Sequence, residues 1–263
     1  MQGLIIENRT NLYKIETKEK IYEATARGKF KKNEITPVVG DIVEIQVIDE
    51  ENSKAVIENI EERKVYIKRP KLANITQIIF VVSSKDPKPD LLMLDKQLAF
   101  AEFLGIKAVI VLNKTDLDKK KEFQNIKQVY EKIGYKIIET NAKNREGIKE
   151  LREILKNNIN AFSGNSGVGK STLINGIFNN EITQEGEISK KNKRGKNTTT
   201  STKLYEIDKN TYIADTPGFS TFDISEIESK DLAQYFIEFN KYIPNCEFVG
   251  CTHIKEENCG IKE

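Results

Sequence analysis

Two hydrophobic rhythms divide the chain. Up to about residue 68 the apolar positions come in short runs: Gly3 to Glu7, Asn11 to Glu16, Ile21 to Ala26, Asp41 to Ile48, and Lys54 to Ile60. In the fourth run Val43, Ile45 and Val47 alternate with Glu44 and Gln46, the period-two signature of a half-buried strand. Gly28, Pro37, Gly40 and the Asp49 to Asn52 cluster separate the runs. Five short strands in such a span predict a small closed barrel, and an OB-type barrel is the commonest way to close five.

After Arg69-Pro70 the runs lengthen. Ile75 to Val82 and Ala108 to Leu112 are nearly continuous apolar stretches, as in strands buried on both faces. Between them Asp90 is placed to cap a helix in which Leu91, Leu94, Leu98 and Ala101 recur at helical spacing before Gly105 stops it. A second helix (Phe123, Ile126, Tyr130, Ile133, then Gly134), a strand (Lys136 to Glu139) and a third helix (Glu146 to Lys156) continue the alternation. This predicts a doubly wound α/β region with a mainly parallel sheet, in which ligands bind at the carboxyl ends of the strands. Beyond it come strands at Thr202 to Ile207 and Thr211 to Ala214, then a helix with Leu232, Phe236 and Phe239 on one face.

Composition changes this picture little. The 263 residues carry 42 Lys plus Arg against 40 Asp plus Glu, so global charge names no partner. The local basic stretch Arg27, Lys29, Lys31, Lys32 fits either a nucleic-acid backbone or a solvated loop. With no run of 18 or more apolar residues and only a short apolar patch near Met1, neither a membrane span nor a signal peptide fits, and a cytoplasmic protein is expected. No surplus apolar surface is evident, so a monomer is expected.

Chemistry enters at Gly164-Asn165-Ser166-Gly167-Val168-Gly169-Lys170-Ser171-Thr172, a full match to G-x-x-x-x-G-K-[ST]. It follows the apolar-tending run Ile159 to Ser163 and opens a helix-like run, Thr172 to Phe178. Gly164, Gly167 and Gly169 let the backbone turn its N–H groups inward, and the helix N-terminus adds positive potential. Lys170 then supplies a charge to the β- and γ-phosphates and Ser171 a hydroxyl to Mg²⁺.

Two of the α/β strands end in polar clusters. Ala108 to Leu112 runs into Asn113-Lys114-Thr115-Asp116, and Lys136 to Glu139 into Thr140-Asn141-Ala142-Lys143. An N-K-x-D sequence suits guanine, because a carboxylate accepts from both N1–H and the exocyclic amine, a pair adenine does not offer. Such a site rejects the wrong base by roughly 10⁴-fold. Downstream, Lys190, Lys191, Lys193, Arg194 and Lys196 lead into Thr198-Thr199-Thr200, any one of which could ligate Mg²⁺ in a nucleotide-dependent loop. The strand Thr211 to Ala214 ends in Asp215-Thr216-Pro217-Gly218, where Asp215 would hold Mg²⁺ and the Gly218 N–H would sense the γ-phosphate. The base-binding loops precede the P-loop, the reverse of the ordinary GTPase order. This predicts a circular permutation, which needs only the same strand adjacency and termini at the surface.

All three cysteines and the only histidine fall in one C-terminal stretch, Cys246, Cys251, His253 and Cys259, spaced C-x4-C-x-H-x5-C. These four ligands suit one closed tetrahedral Zn²⁺ per chain, a structural rather than a catalytic site.

With these motifs in this order, the chain resembles the RsgA (YjeQ) family of circularly permuted GTPases over essentially its whole length. The resemblance implies three domains: an OB-type β-barrel (1–68), a circularly permuted α/β P-loop GTPase domain (69–222) and a C-terminal helical zinc-binding domain (223–263). It also implies hydrolysis of GTP to GDP, stimulated by the 30S small ribosomal subunit during its late maturation, with barrel and zinc domain contacting 16S rRNA. Three features bear on that expectation. Asn197 stands where the family usually has histidine, and asparagine can orient a water but not take a proton. Phe219, as in its relatives, stands where Ras-type enzymes place a water-orienting glutamine, so slow intrinsic turnover is expected. The family usually continues with a helical tail after the last cysteine, whereas this sequence stops at Glu263.

Overall fold

The structure is a computed structural model, and it describes residues 1–28, 30, 35–118, 121–182, 202–215 and 224–263. The chain forms two compact units. The first comprises Met1–Gln77, Ile148–Phe162 and Leu173–Phe219, the second Ile78–Gly147, Ser163–Thr172 and Ser220–Glu263.

In the first unit, β1 (Gln2–Arg9), β2 (Leu12–Glu16), β3 (Ile21–Ala26), β4 (Ile42–Asp49) and β5 (Lys54–Ile60) close a barrel in the order β1-β2-β3-β5-β4, with β4 returning to β1. The β3–β5 pairing is parallel and the others antiparallel. The alternating pattern puts Ile5, Tyr13, Ile15, Tyr22, Ala24, Val43, Ile45, Ala55 and Ile57 into one core. At one end Asp41, fully buried, accepts from Arg63 Nε and Nη2 at 2.7 and 2.8 Å and from the Val38 N–H at 2.8 Å. A small hairpin, β6 (Tyr66–Lys68) and β7 (Lys71–Ala73), follows the barrel; its three-residue strands are too short to show a period in the sequence.

The same unit holds β11 (Ile159–Ser163), which pairs in parallel with β13 (Thr211–Asp215), while β12 (Lys203–Asp208) pairs antiparallel with β13. Asn160 anchors this group. Fully buried, it accepts from Gln77 Nε2 at 2.8 Å and donates to the carbonyls of Leu155 and Tyr212 at 2.9 and 3.0 Å. The other side of β12 carries β1 of the barrel, in register Glu7↔Lys203.

In the second unit, β8 (Gln77–Ser83), β9 (Lys107–Asn113) and β10 (Lys136–Thr140) lie in the order β10-β9-β8, with β9 and β10 parallel. Helix α1 (Leu91–Phe103) is capped by Asp90, whose Oδ1 accepts the Met93 N–H at 3.0 Å. Helix α2 (Glu122–Ile133) connects β9 to β10 and ends at Gly134. The second unit's first segment ends at Gly147, and helix α3 (Ile148–Leu155), which belongs to the first unit, starts two residues later than the sequence predicts. Gly147 has φ +74°, and a Cβ there would lie 2.2 Å from the Glu139 carbonyl, so the helix begins after it. The fourth helix, α4 (Lys170–Ile182), follows the P-loop, its first turn counted with the second unit and the remainder, from Leu173, with the first.

The C-terminal helix predicted from Leu232, Phe236 and Phe239 forms as separate 3-10 turns, Leu232–Tyr235, Ile237–Phe239 and Ile243–Asn245. Phe236 is extended (φ −95°, ψ 99°) and breaks the first two apart, while Pro244 sits in the third. Tyr235 packs edge-on against Phe103 of α1, ring centroids 5.3 Å apart. Beneath, the Tyr130 hydroxyl donates to Asp95. Burial first, then Asp95, raise the Tyr130 pKa, so the phenol stays a neutral donor.

Candidate nucleotide site and Cys/His cluster

The phosphate loop begins where β11 ends. Gly164, Gly167 and Gly169 have φ of +138°, +83° and +100°, a region that side chains strain to reach. Space also requires them: a Cβ on Gly164 would lie 2.3 Å from the Val81 carbonyl oxygen, and one on Gly169 would lie 2.3 Å from Asn113 Nδ2. The loop therefore nests against β8 and β9 of its own unit. Lys170 Nζ donates to the carbonyls of Gly164 and, at 2.9 Å, Asn165. Burial lowers its pKa, a cost that an incoming phosphate would relieve. Asn165, Ser166, Ser171 and Thr172 complete the loop, with Ser171 and Thr172 exposed and Val168 buried beneath.

Asn113, 1 % exposed, joins three loops. Its Oδ1 accepts from Thr140 Oγ1 at 3.0 Å and the Ala142 N–H at 3.1 Å, and its Nδ2 donates to the Val168 carbonyl at 2.8 Å. One amide thus registers the N-K-x-D loop, the Thr140 to Lys143 loop and the P-loop, using both ends of the side chain. Lys114, in the left-handed region at φ 63°, donates Nζ to the Asp86 carbonyl, and Ser84 Oγ holds the Lys114 carbonyl at 2.8 Å. Thr115 Oγ1 reaches the Thr140 carbonyl at 3.3 Å. Asp116 is exposed on the 3-10 turn Thr115–Leu117, open to a ligand edge, while Asn141 is buried and bridges to Glu146; Lys143 is exposed.

Asp215 ends β13 in the first unit. Thr198, Thr199, Thr200 and Gly218 lie outside the described residues, as do Asn197 and Phe219. Among the described parts, a glycine cradle with no room for Cβ atoms, a lysine ammonium turned into it and a helix N-terminus fit a polyphosphate. The hydroxyl of Ser171 and carboxylate of Asp215 are hard oxygen donors suited to Mg²⁺.

The ligand atoms of Cys246, Cys251, His253 and Cys259 lie within 4.8 Å of one another. His253 Nδ1 is 3.6 Å from Cys246 Sγ and 3.4 Å from Cys259 Sγ. The two His253 spacings match the edges of a tetrahedron with Zn–N and Zn–S bonds, about 3.3–3.8 Å, and three thiols with one imidazole are a donor set that suits zinc. Burial pushes the Cys251 thiol up to about 11; burial acts on Cys259 too, but His253 and backbone donors outweigh it and bring that thiol down to about 7. Glu256 ties the intervening loop, accepting from the N–H groups of Thr252, Ile254 and Lys255 at 2.9–3.1 Å and from Thr252 Oγ1 at 2.8 Å.

The contact roles of Asp86, Ser84 and Asn160 are not legible in the sequence. Asp86 falls in a loop the sequence marks, Asp86 to Asp90, but acts through its backbone carbonyl and so leaves no side-chain signature; Ser84, just after β8, and Asn160, within β11, are single polar residues that nothing in the sequence sets apart.

A P-loop preceded in the chain by its guanine-type loops, on strands ordered as described, defines a circularly permuted P-loop GTPase. The chain matches the RsgA GTPase family over residues 60–225 and the RsgA N-terminal domain over residues 2–57. It belongs to the RsgA family. It is 40% identical over 261 residues to the small ribosomal subunit biogenesis GTPase RsgA of Alkaliphilus metalliredigens (strain QYMF), covering 99% of this chain and 89% of that one. With the protein of the same name from Clostridium perfringens (strain SM101 / Type A) it shares 43% over 263 residues, covering 100% and 90%. The crystal structure of YjeQ from Thermotoga maritima superposes with TM-score 0.85 at 34% identity, over 99% of this chain and 89% of that one. YloQ, a circularly permuted GTPase, gives 0.81 at 29% identity, over 99% and 86%. Among the described residues no helix is long and apolar enough to cross a membrane.

Proposed function

We propose that the protein is a ribosome-associated GTPase of small-subunit biogenesis, hydrolysing GTP to GDP and phosphate in late maturation of the 30S particle. The observation that carries the nucleotide part is Asn113, which locks guanine-type and phosphate-type loops to one another through one buried amide. Family membership and the relatives' names support the ribosomal part.

In this reading Asp116 accepts from the guanine N1–H and amine, Lys114 lies along the base, and Asn141, Ala142 and Lys143 border it. The backbone N–H groups of Gly164 to Gly169, with Lys170, hold the phosphates, and Ser171 and Thr172 extend the cradle. Ser171 and Asp215 are the residues that would hold Mg²⁺, which would supply neutralising charge to the phosphates. Thr199 or Thr200 and the Gly218 N–H complete the γ-phosphate contacts. Cys246, Cys251, His253 and Cys259 hold one structural Zn²⁺. The barrel (1–68) and zinc-bearing segment (223–263) flank the GTPase domain (69–222) and contact 16S rRNA. The protein acts in the cytoplasm as a monomer.

GTP turnover by the full chain, alone and with purified small ribosomal subunits at fixed ionic strength, tests this directly. Clear stimulation by the subunit is expected. Subunits that bind without changing turnover would remove the activated-enzyme reading, and subunits that do not bind would remove the partner.

A further inference from the structure

The seam between barrel and GTPase strands lies within the first unit and has two polar ties. At one end the Tyr212 hydroxyl donates to Glu16 Oε2 at 2.6 Å. At the other, three residues stand in one cross-strand row. Lys203 opens β12, and its Cα partners are Glu7 of β1 on one side and Asp215 of β13 on the other. Residues paired directly across strands share a face, so what fixes one of them constrains the next.

Glu7 is an unusual residue to find in that row. It sits beside a register shift in β1, is 3 % exposed, and faces three cations: Arg9 Nε at 2.5 Å, Lys14 Nζ at 3.4 Å and Lys203 Nζ at 3.5 Å. Arg9 takes Oε1, whereas Oε2 is buried, makes no hydrogen bond and is the oxygen nearest both lysines. Burial alone would raise the Glu7 pKa, but Lys203 and the other two cations outweigh it and hold the carboxyl below its ordinary value, so the charge is kept. Lys203 also lies over the Tyr205 ring at 4.7 Å. A buried carboxylate of the barrel thus pairs with the first residue of β12, and that residue is the cross-strand neighbour of Asp215.

We propose that Glu7 is a positioning residue for the Mg²⁺-nucleotide site: through Lys203 it fixes the β12–β13 row that ends in Asp215, so the barrel's seat on β12 and the metal-bound state of the nucleotide are coupled. The proposal rests on Asp215 as a Mg²⁺ ligand. By reciprocity, whatever shifts the barrel at this seam changes Mg²⁺-nucleotide affinity, and the bound state strengthens the seam in turn.

The test is the Mg²⁺ concentration that gives half of the metal-dependent gain in affinity for a fluorescent GTP analogue, measured on the full chain. Glu7→Gln and Lys203→Met are each expected to raise it about two- to fivefold, with the double variant no worse than either and metal-free affinity unchanged. Lys203→Arg, which keeps the charge, is expected to stay at the wild-type value. Tyr212→Phe cuts the distant tie and is expected to leave the metal half-point alone. An unshifted half-point in Lys203→Met, or an equal shift in Tyr212→Phe, would overturn the proposal; the Lys203 pair decides even where Glu7→Gln fails to fold. Asp215→Asn separates the underlying reading, since a metal response that survives it shows that Asp215 is not the ligand and that the premise, rather than the seam, has failed.

Discussion

The nucleotide loops and the Cys/His cluster sit in the same compact unit and are built on opposite principles. The loops rest on β8 and β9, whose residues Ile78 to Val81 and Val109 to Leu112 are buried, and their shape comes from backbone: positive-φ glycines and one amide, Asn113. The cluster rests on 3-10 turns and on side chains, with Phe248, Val249 and Ile254 exposed around it. One site has its form before any ligand arrives, because packing and hydrogen bonds already specify it. The other concentrates three thiols and an imidazole where little apolar surface is buried, so the proposed zinc would supply the stability there.

Metal removal should break the comparison most sharply. A strong chelator withdraws on the order of 10 kcal/mol from the C-terminal segment and leaves the P-loop standing. Hydrogen exchange over residues 229–263 should rise sharply while GDP affinity holds; protected amides in the chelated protein would show that the turns are stable without metal. Lys170→Ala does the converse, lowering GTP affinity about 10- to 100-fold by loss of a charge-assisted contact, with C-terminal exchange untouched. Titration with labelled GTP measures it, and wild-type affinity would remove Lys170 from the phosphate site.

Asn113→Ala is the next effect in size. It leaves the Thr140 hydroxyl, the Ala142 N–H and the Val168 carbonyl without their buried partner and should cost about 2–3 kcal/mol in denaturant unfolding, with guanine affinity falling too. Stability lost with affinity intact would mean that the amide braces the fold without setting the site. The smallest effect lies outside both regions. Because the folded Glu7 carboxyl is held below its ordinary value, its contribution is present above the unfolded pKa and is lost as pH falls through the lowered folded one. The stability gap between wild type and Glu7→Gln should therefore be widest at neutral pH and close as pH falls below the ordinary carboxylate range. A gap independent of pH would point to packing rather than charge.

What the sequence disclosed follows the same division. Glycine spacing, N-K-x-D and the Cys/His run are local, so residues 113–116, 164–172 and 246–259 could be found without coordinates. Short apolar runs between turn residues marked the five barrel strands, and β4 adds the period of two that burial on one face leaves, whereas β1 is buried at Ile5, Ile6 and Glu7 in succession. Contacts between distant residues left no such trace: Asn113 meets Val168, Gln77 meets Asn160, and Glu7 meets Lys203. The C-terminal turns were misread as one helix because Leu232, Phe236 and Phe239 keep helical spacing even though Phe236 is extended between two short turns.

The affinity of the full chain for GDP set against ADP, with Asp116→Asn in parallel, tests the central claim most directly. The account predicts that the wild type favours GDP by roughly 10⁴-fold, a preference that Asp116→Asn largely abolishes while admitting the xanthine nucleotide. Equal affinity of the wild type for GDP and ADP would contradict it.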